Sequence, residues 1–403
     1  MKQALALLIC LTACDSSGGD GSVTDTGVDT DTDGRPPVEG DAGPVDDGGA
    51  PLSLRAVSGD LTFAEVGPGG GHLYSLQVDG QVKQRITADL AYWSHHAVGP
   101  DPRFVAAVRH RDGDGDGNDD PDGPGEVWIL DVRERTAFPL SPPGCDAGIG
   151  GVGWRDEVRV MFAMACDDEP SVIYLAGADD RSRDRSRMLA LTTHEEAARD
   201  VFPAVGTPVF TYVVDAQACS AGGSCITKPQ IWLGDADTGL HCRVTDGDTR
   251  FTDTGTITGP VRRLGDHSPS LNGDLSSVTF SRNVGGKGRG PEGHFDLMRV
   301  GLDRRALFQG ASVCVQGGTL TNLSDDLFDD PPNAQEREPC GPAGRAPVGT
   351  LLYVEEITNE TEVLQSAIYM VGPNGTRTAL TTEGGHANHP AWIVTEYLLD
   401  GER

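Results

Sequence analysis

Six times along the chain the same pair of short segments recurs, and such a chain folds as stacked copies of one unit. The first segment sets an apolar residue beside an aromatic or Met and then alternates. Its copies are Leu73-Tyr74-Ser75-Leu76, Val127-Trp128-Ile129-Leu130, Ile173-Tyr174-Leu175, Ile231-Trp232-Leu233, Leu297-Met298-Arg299-Val300 and Ile368-Tyr369-Met370. The second is an apolar residue followed by a hydroxyl residue: Ile86-Thr87, Leu140-Ser141, Leu191-Thr192, Val244-Thr245, Leu323-Ser324 and Leu380-Thr381. In four of the six pairs, 12 or 13 residues separate the aromatic from the hydroxyl. A loop follows each, then a segment often built on Pro: His95-His96-Ala97-Val98, Gly151-Val152-Gly153-Trp154, Phe202-Pro203-Ala204-Val205, Ser268-Pro269-Ser270-Leu271, Pro331-Pro332-Asn333-Ala334 and His389-Pro390-Ala391-Trp392. A turn and a β-rich run such as Ser277-Val278-Thr279-Phe280-Ser281 complete the unit.

Each unit reads as four short strands, a to d, with a period of roughly 50–80 residues and no sustained helical periodicity. Six four-strand units meet the requirement of a radial ring, in which only short, protected edges remain. The expected fold is all-β: a six-bladed β-propeller over residues 55–396, with 397–403 as a tail. The first unit, from Leu61, supplies strands b, c and d but no strand a, and the segment from His389 to Val394 is a strand a with nothing after it. The C-terminal strand is therefore expected to close the first blade. A solenoid would not leave two complementary half-units.

The pattern resembles the TolB-type (WD40-like) propeller repeat, whose strand a carries a Pro, whose a–b turn is Pro-Asp-Gly-like and whose strand d ends in Leu-Thr. The best copy of that turn is PSLNGDLSSVTFS, residues 269–281. The resemblance covers about 340 residues; copies two and three lack the full turn. It implies a protein or peptide ligand, held at the mouth of the channel or on the face bearing the b–c loops. TolB itself carries an additional N-terminal domain and is soluble; here a tether stands in that place.

That tether follows an export signal. Residues 1–13, MKQALALLICLTA, give a positive Lys2 and an apolar run too short to span a bilayer. Leu11-Thr12-Ala13-Cys14 resembles the lipobox of bacterial lipoproteins, which implies cleavage before Cys14 and lipidation of its thiol. Residues 15–52 are rich in Asp, Gly, Thr and Pro, without an aromatic residue. Such a segment buries too little surface to offset chain entropy and stays disordered. With Cys14 it makes a tether over 14–54, whose coil dimension is ~30–35 Å. The expected location is the cell envelope, lipid-anchored on a periplasmic or surface face. The net charge of −29 argues against nucleic acid as partner. A monomer is expected.

Seven cysteines follow the tether, and outside the cytoplasm they read as disulfides with one left over. Placing them on the blade scheme gives Cys145–Cys166, Cys219–Cys225 and Cys314–Cys340, with Cys242 free. The sharpest chemical motif is RHRDGDGDGNDDPDGPGE, residues 109–126. Asp112, Asp114 and Asp116 followed by Gly117 match the first half of an EF-hand-like calcium loop. The twelfth position is Gly123 rather than Glu, so Asp120, Asp122 or Glu126 would have to close the shell around a structural calcium ion. The alternative is a solvated acidic insertion.

The histidines near the d–a connectors, His95, His96, His267, His386 and His389, are the second constellation. Strand a lines a propeller's channel, and His95, His96, His267 and His389 are candidate channel ligands for a transition metal. Oligogalacturonate lyases, which resemble this propeller class, use a His-rich metal site, but their ligand set has no residue-by-residue match here. Gly-x-Ser-x-Gly, Walker and Rossmann glycine patterns are absent. The reading is a non-enzymatic envelope binding module; the competing class is a metal-dependent polysaccharide lyase or hydrolase.

Overall fold

Alternating apolar positions and β-branched residues give strands almost throughout, and a computed structural model shows how they assemble. It describes residues 54–67, 70–79, 82–88, 91–111, 123–219, 225–246, 265–283, 295–324, 334–341, 346, 349–358, 363–381 and 385–393. In chain order the strands are β1 (Leu61–Gly67), β2 (Gly70–Gln77) and β3 (Val82–Arg85); β4 (Tyr92–Val98), β5 (Phe104–His110), β6 (Gly125–Asp131) and β7 (Thr136–Pro139). Next come β8 (Cys145–Asp146), β9 (Val152–Trp154), β10 (Arg159–Cys166), β11 (Val172–Gly177) and β12 (Leu189–Ala190). Then come β13 (Ala198–Pro203), β14 (Val209–Cys219), β15 (Cys225–Asp235) and β16 (Leu240–Arg243); β17 (Gly265–Leu271), β18 (Ser277–Asn283), β19 (Phe295–Gly301) and β20 (Thr321–Asn322). The last are β21 (Ala334–Cys340), β22 (Leu351–Thr358), β23 (Val363–Val371), β24 (Arg377–Ala379) and β25 (His386–Trp392). A single α-helical turn among the described residues, α1 (Arg304–Phe308), interrupts this order.

Neighbouring strands pair antiparallel in a propeller arrangement. β4–β7, β13–β16 and β17–β20 are four-stranded sheets; β8–β12 form a fifth-strand variant in which β8 and β9 both pair with β10. The remaining strands form one eight-stranded sheet where two separate units were expected. Its halves, β21–β24 and β25-β1-β2-β3, meet through one parallel contact, Ser366 opposite His386. The cause is local: the Ser366 amide donates to the Gly385 carbonyl, and its hydroxyl bonds Asn388 Oδ1 at 2.9 Å. The pairing of β25 with β1 runs from Leu61 opposite Trp392 to Val66 opposite His386.

The recurring hydroxyl now has a physical role. Thr87, Ser141, Thr192, Thr245, Ser324 and Thr381 each accept the amide N–H of the first repeat residue, Leu73, Val127, Ile173, Ile231, Leu297 and Ile368, at 2.8–3.0 Å. The apolar residue just before each hydroxyl donates its own N–H to the carbonyl of that same repeat residue. Each unit thus clamps its third strand to its fourth by one reciprocal pair of bonds, and a buried amide is satisfied at a point where the ladder ends. Buried apolar side chains then fill the gaps between sheets. One cluster joins Val108 and Ile129 to Trp154 and Phe162; another joins Leu61 and Phe63 to Leu352 and Val354, the two halves of the eight-stranded sheet.

Two expectations are corrected. The first strand of the sixth unit is β21 at Ala334–Cys340, not Pro331–Ala334, because Pro339 rather than Pro331 or Pro332 matches Pro269 and Pro390. Among the cysteines, Cys145 and Cys166 are bonded, facing each other across β8 and β10. Cys314 bonds Cys242, not Cys340, and Cys340 is the free thiol among the described residues. The insertion that carries α1 folds back along β16: Arg243 N–H donates to Ser312 O, Cys314 N–H donates to Arg243 O, and the Cα atoms of Cys242 and Cys314 come to 5.7 Å. The backbone register sets Cys219 opposite Cys225 at the end of the β14–β15 hairpin; their side chains lie outside the described residues.

Candidate functional site: the central cavity

Five of the innermost strands carry a bulge at the same depth. The ladder shifts between Trp93 and His96, Arg199 and Phe202, His267 and Ser270, Arg337 and Cys340, and opposite Thr62 and Ala64 for β25. On four strands the first bulged residue is left-handed although it is not glycine: Asp200, Ser268, Glu338 and His389, with φ from 47° to 53°. Non-glycine residues rarely hold this conformation, and where they do a surrounding structure enforces it. In the third sheet Gly150 and Gly151 stand there instead, because a Cβ on Gly150 would lie 2.1 Å from Asp200 Oδ1.

The bulges converge on one cavity of about 150 Å³, to which β4, β9, β13, β17, β21 and β25 all contribute. One tier of its wall is polar: His95, Asp200, Ser268, Glu338 and His389. The other is mostly apolar, with Trp154, Phe202, Pro203, Leu271, Pro339, Pro390 and Trp392, and with Cys340 among them. Within the polar tier the bulges hold one another. The Ser268 amide donates to the Asp200 carboxylate, and the His389 amide donates to Glu338 Oε2 at 2.7 Å. The rings of His95 and His389 lie 3.9 Å apart.

Burial sets the protonation states. It holds His95 well below the ordinary imidazole range, with His389, His110 and His96 adding repulsion. His389 is lowered to about 3, by burial first and then by His96, His110 and Arg337. His96 falls to about 4 for the same leading reason. Asp200 and Glu338 move the other way: burial raises both, against the pull of Arg199 on Asp200 and of the His389 amide and Arg337 on Glu338. Neutral imidazoles thus face carboxyls that are costly to ionise. Cys340 is pushed up to about 11 by burial, which leaves it a thiol rather than a nucleophilic thiolate.

The four histidines named from sequence fall in different settings, three of them on the cavity wall: His95, His96 and His389. His95 and His389 meet in the cavity. His96 is tied to Thr62 Oγ1 at 2.9 Å, across the junction of the first two sheets. His267 packs edge-on against Phe295 and contacts Arg199, which is itself held by Asp200 and Asp215. Among the described residues no three His, Cys, Asp or Glu side chains gather as a metal site. Asp112, Asp114, Asp116, Asp120 and Asp122 lie outside the described residues. Glu126, the other carboxylate considered for that loop, is committed to Arg183 at 2.5 Å and Arg111 at 3.4 Å. Asp200, Ser268 and Glu338 were missed by the sequence reading. The available signal was the residue preceding Pro269, Pro339 and Pro390, which the bulge turns inward in three of the strands.

No family model and no curated protein matches the chain. Solved structures do. TolB from Acinetobacter baumannii is similar over 84% of this chain and 67% of its own, at 14% identity and a TM-score of 0.50. The hydrazine synthase of Kuenenia stuttgartiensis is similar over 85% of this chain, at 12% identity and a TM-score of 0.52; the chain spans about half, 48%, of that protein. At these identities the likeness is one of fold, and the chain has the propeller fold that TolB has.

Proposed function

We propose that this chain is a lipid-anchored, non-enzymatic binding protein of the cell envelope, a closed six-bladed propeller that takes a protein or peptide partner at the mouth of its channel. The observation that carries the reading is the single cavity into which all six innermost strands project, polar at one level and mostly apolar at the other. Six identical clamps support six blades, and the β25–β1 pairing supports closure by the C-terminal strand. The two disulfides among the described residues fit an oxidising, exported location. The TolB fold favours a protein partner by analogy. A structural calcium ion in 112–122 stays part of the proposal, as do the monomeric state and the anchor at Cys14. The arrangement gives the lyase alternative no support: of its four histidines His267 packs against Phe295 and is not among the cavity's lining residues, His96 lines the cavity but is bonded to Thr62, and His95 and His389 lie ring against ring.

The test places a photo-crosslinking residue at Arg111, on the face of the b–c loops, and in a second variant at Thr238, in the β15–β16 turn on the opposite face, with Cys14→Ser as a companion. A discrete adduct from position 111 alone, in membranes with Cys14 and released from them in Cys14→Ser, is expected. Equal labelling from both positions, or unchanged membrane fractionation of Cys14→Ser, overturns the reading.

A further inference from the structure

We propose that the cleft between the second and third sheets binds a small monocarboxylic acid with an apolar body, its carboxylate held by Arg181. The cleft opens among the a–b and c–d turns, on the face opposite the b–c loops, so the proposal does not rest on the reading above.

The cleft exists because the two sheets are fastened unevenly. At the b–c end Asp146 Oδ1 accepts the amides of Gly125 on β6 and of Gly148, at 2.8 and 2.7 Å. Arg183 reaches from the third sheet to Glu126 and to the Ser141 carbonyl of the second. Toward the other end the Trp154 indole donates to the Ala97 carbonyl at 3.0 Å. There the sheets leave a cavity of about 360 Å³, more than twice the central one of about 150 Å³. Its floor is apolar: Phe104, Ile129 and Phe138 from the second sheet, Trp154, Val158 and Ala178 from the third. Val158 is 62% exposed, a large apolar surface that a ligand would take out of water. Mostly apolar cavities of roughly 300–1,000 Å³ with a few polar groups suit small ligands.

The charged groups narrow the ligand. Arg103 is occupied, with its Nε donating to Asp131 at 2.9 Å and Glu134 within 3.7 Å of the guanidinium. Arg181 is not. It opens the run RSRDRSR, residues 181–187. Arg183, Arg185 and Arg187 of that run pair with Glu126, Glu169 and Asp180. Arg181 pairs with no carboxylate among the described residues and lies over the Phe138 ring, 4.4 Å from its centroid. An aromatic face fixes a guanidinium plane and leaves the N–H donors on its edge free. That edge matches a carboxylate. Glu157 and Asp179 also line the cleft, and both are exposed. Solvent screens them, but one guanidinium beside two carboxylates tolerates a single negative charge better than the two of a phosphate monoester.

The experiment is a calorimetric titration of the full chain at neutral pH with 3-phenylpropanoate and with 3-phenylpropanamide. The probes share ring and arm and differ in charge. The acid is expected to bind about fivefold more tightly, the scale of one ion pair at the solvent edge. Arg181→Gln is expected to abolish that preference and leave the affinity for the amide unchanged. This variant separates the cleft from the central cavity, which shares Trp154 with it but is not lined by Arg181. Glu157→Gln removes a like charge and is expected to tighten the acid alone. N-acetyl-L-phenylalanine carries the same ring and carboxylate at the end of a peptide bond and is expected to bind no better than phenylpropanoate. Equal affinity for acid and amide, no binding of either, or an acid preference that survives Arg181→Gln overturns the proposal. Tighter binding of N-acetyl-L-phenylalanine overturns the assignment to a free acid and points to the end of a chain. The comparison of acid with amide is made on the unaltered protein, so it decides the matter even where a variant does not fold.

Discussion

The outer part of each sheet and its inner edge are built on opposite rules. Outside, the same two hydrogen bonds between third and fourth strand recur in every unit, made by Thr or Ser after an apolar residue. At the inner edge the equivalent position varies from strand to strand: Ser94, Gly150, Asp200, Ser268, Glu338 and His389, four of them non-glycine residues in a conformation that side chains avoid. Repetition makes the scaffold. Departure from it, at one depth only, makes the cavity. In a fold that hosts unrelated functions, the departure is where a function is to be looked for.

This contrast can be broken at the scaffold first. Thr245→Val removes the acceptor for the Ile231 amide, which is buried beside it, at nearly constant volume. An unsatisfied buried donor costs ~1–3 kcal/mol, so urea denaturation should show a clear loss of stability. A loss within error would mean that the clamp is decorative.

Acid should probe the inner edge next. An imidazole lowered to about 3 in the fold and near 6.5 when unfolded stabilises the protein fully above the unfolded value; the stability is lost as pH falls from there toward 3. His95 and His96 act in the same direction. Asp200 and Glu338, raised in the fold, act oppositely, stabilising at low pH and losing that contribution as pH rises through their folded values. Between pH 6.5 and 5 the imidazoles should dominate. The melting temperature should fall on acidification, and His389→Gln should flatten the fall. An identical slope in that variant would show that His389 is not held neutral by the fold.

The smallest effect is expected at Ser268. Its φ of 47° suits glycine, and its amide, not its hydroxyl, serves Asp200. Ser268→Gly trades relieved strain against a more flexible unfolded chain, so stability should change by less than ~1 kcal/mol in either direction. A loss of several kcal/mol would mean that the hydroxyl holds the bulge in place.

The same contrast explains what the sequence could tell. The hydroxyl repeat was legible because one local geometry recurs with one chemistry. The strand pairs were legible because one face of each is apolar. The bulge was not, since a register shift depends on the partner strand and leaves only a Pro as its trace, and in the sixth unit two other prolines, Pro331 and Pro332, drew the assignment away from Pro339. The bond between Cys242 and Cys314 was hidden for a related reason. Loop-to-face bookkeeping places a cysteine on a face, but it does not foresee an insertion that crosses to the neighbouring sheet's outermost strand. In the histidine set the sequence placed the residues near one another but not their partners: His95, His96 and His389 line the cavity, and the rings of His95 and His389 meet.

That crossing has a mechanical meaning. Sheets arranged side by side can detach one at a time, because each is held mainly by its neighbours. The bond from Cys242 on β16 to Cys314 beyond α1 removes this freedom between two of them: β16 cannot peel away while the insertion of the next sheet remains attached. The segment β13–β20 should therefore open as one cooperative block, with amide exchange protection shared across both sheets, and the weakest seam between sheets must lie elsewhere.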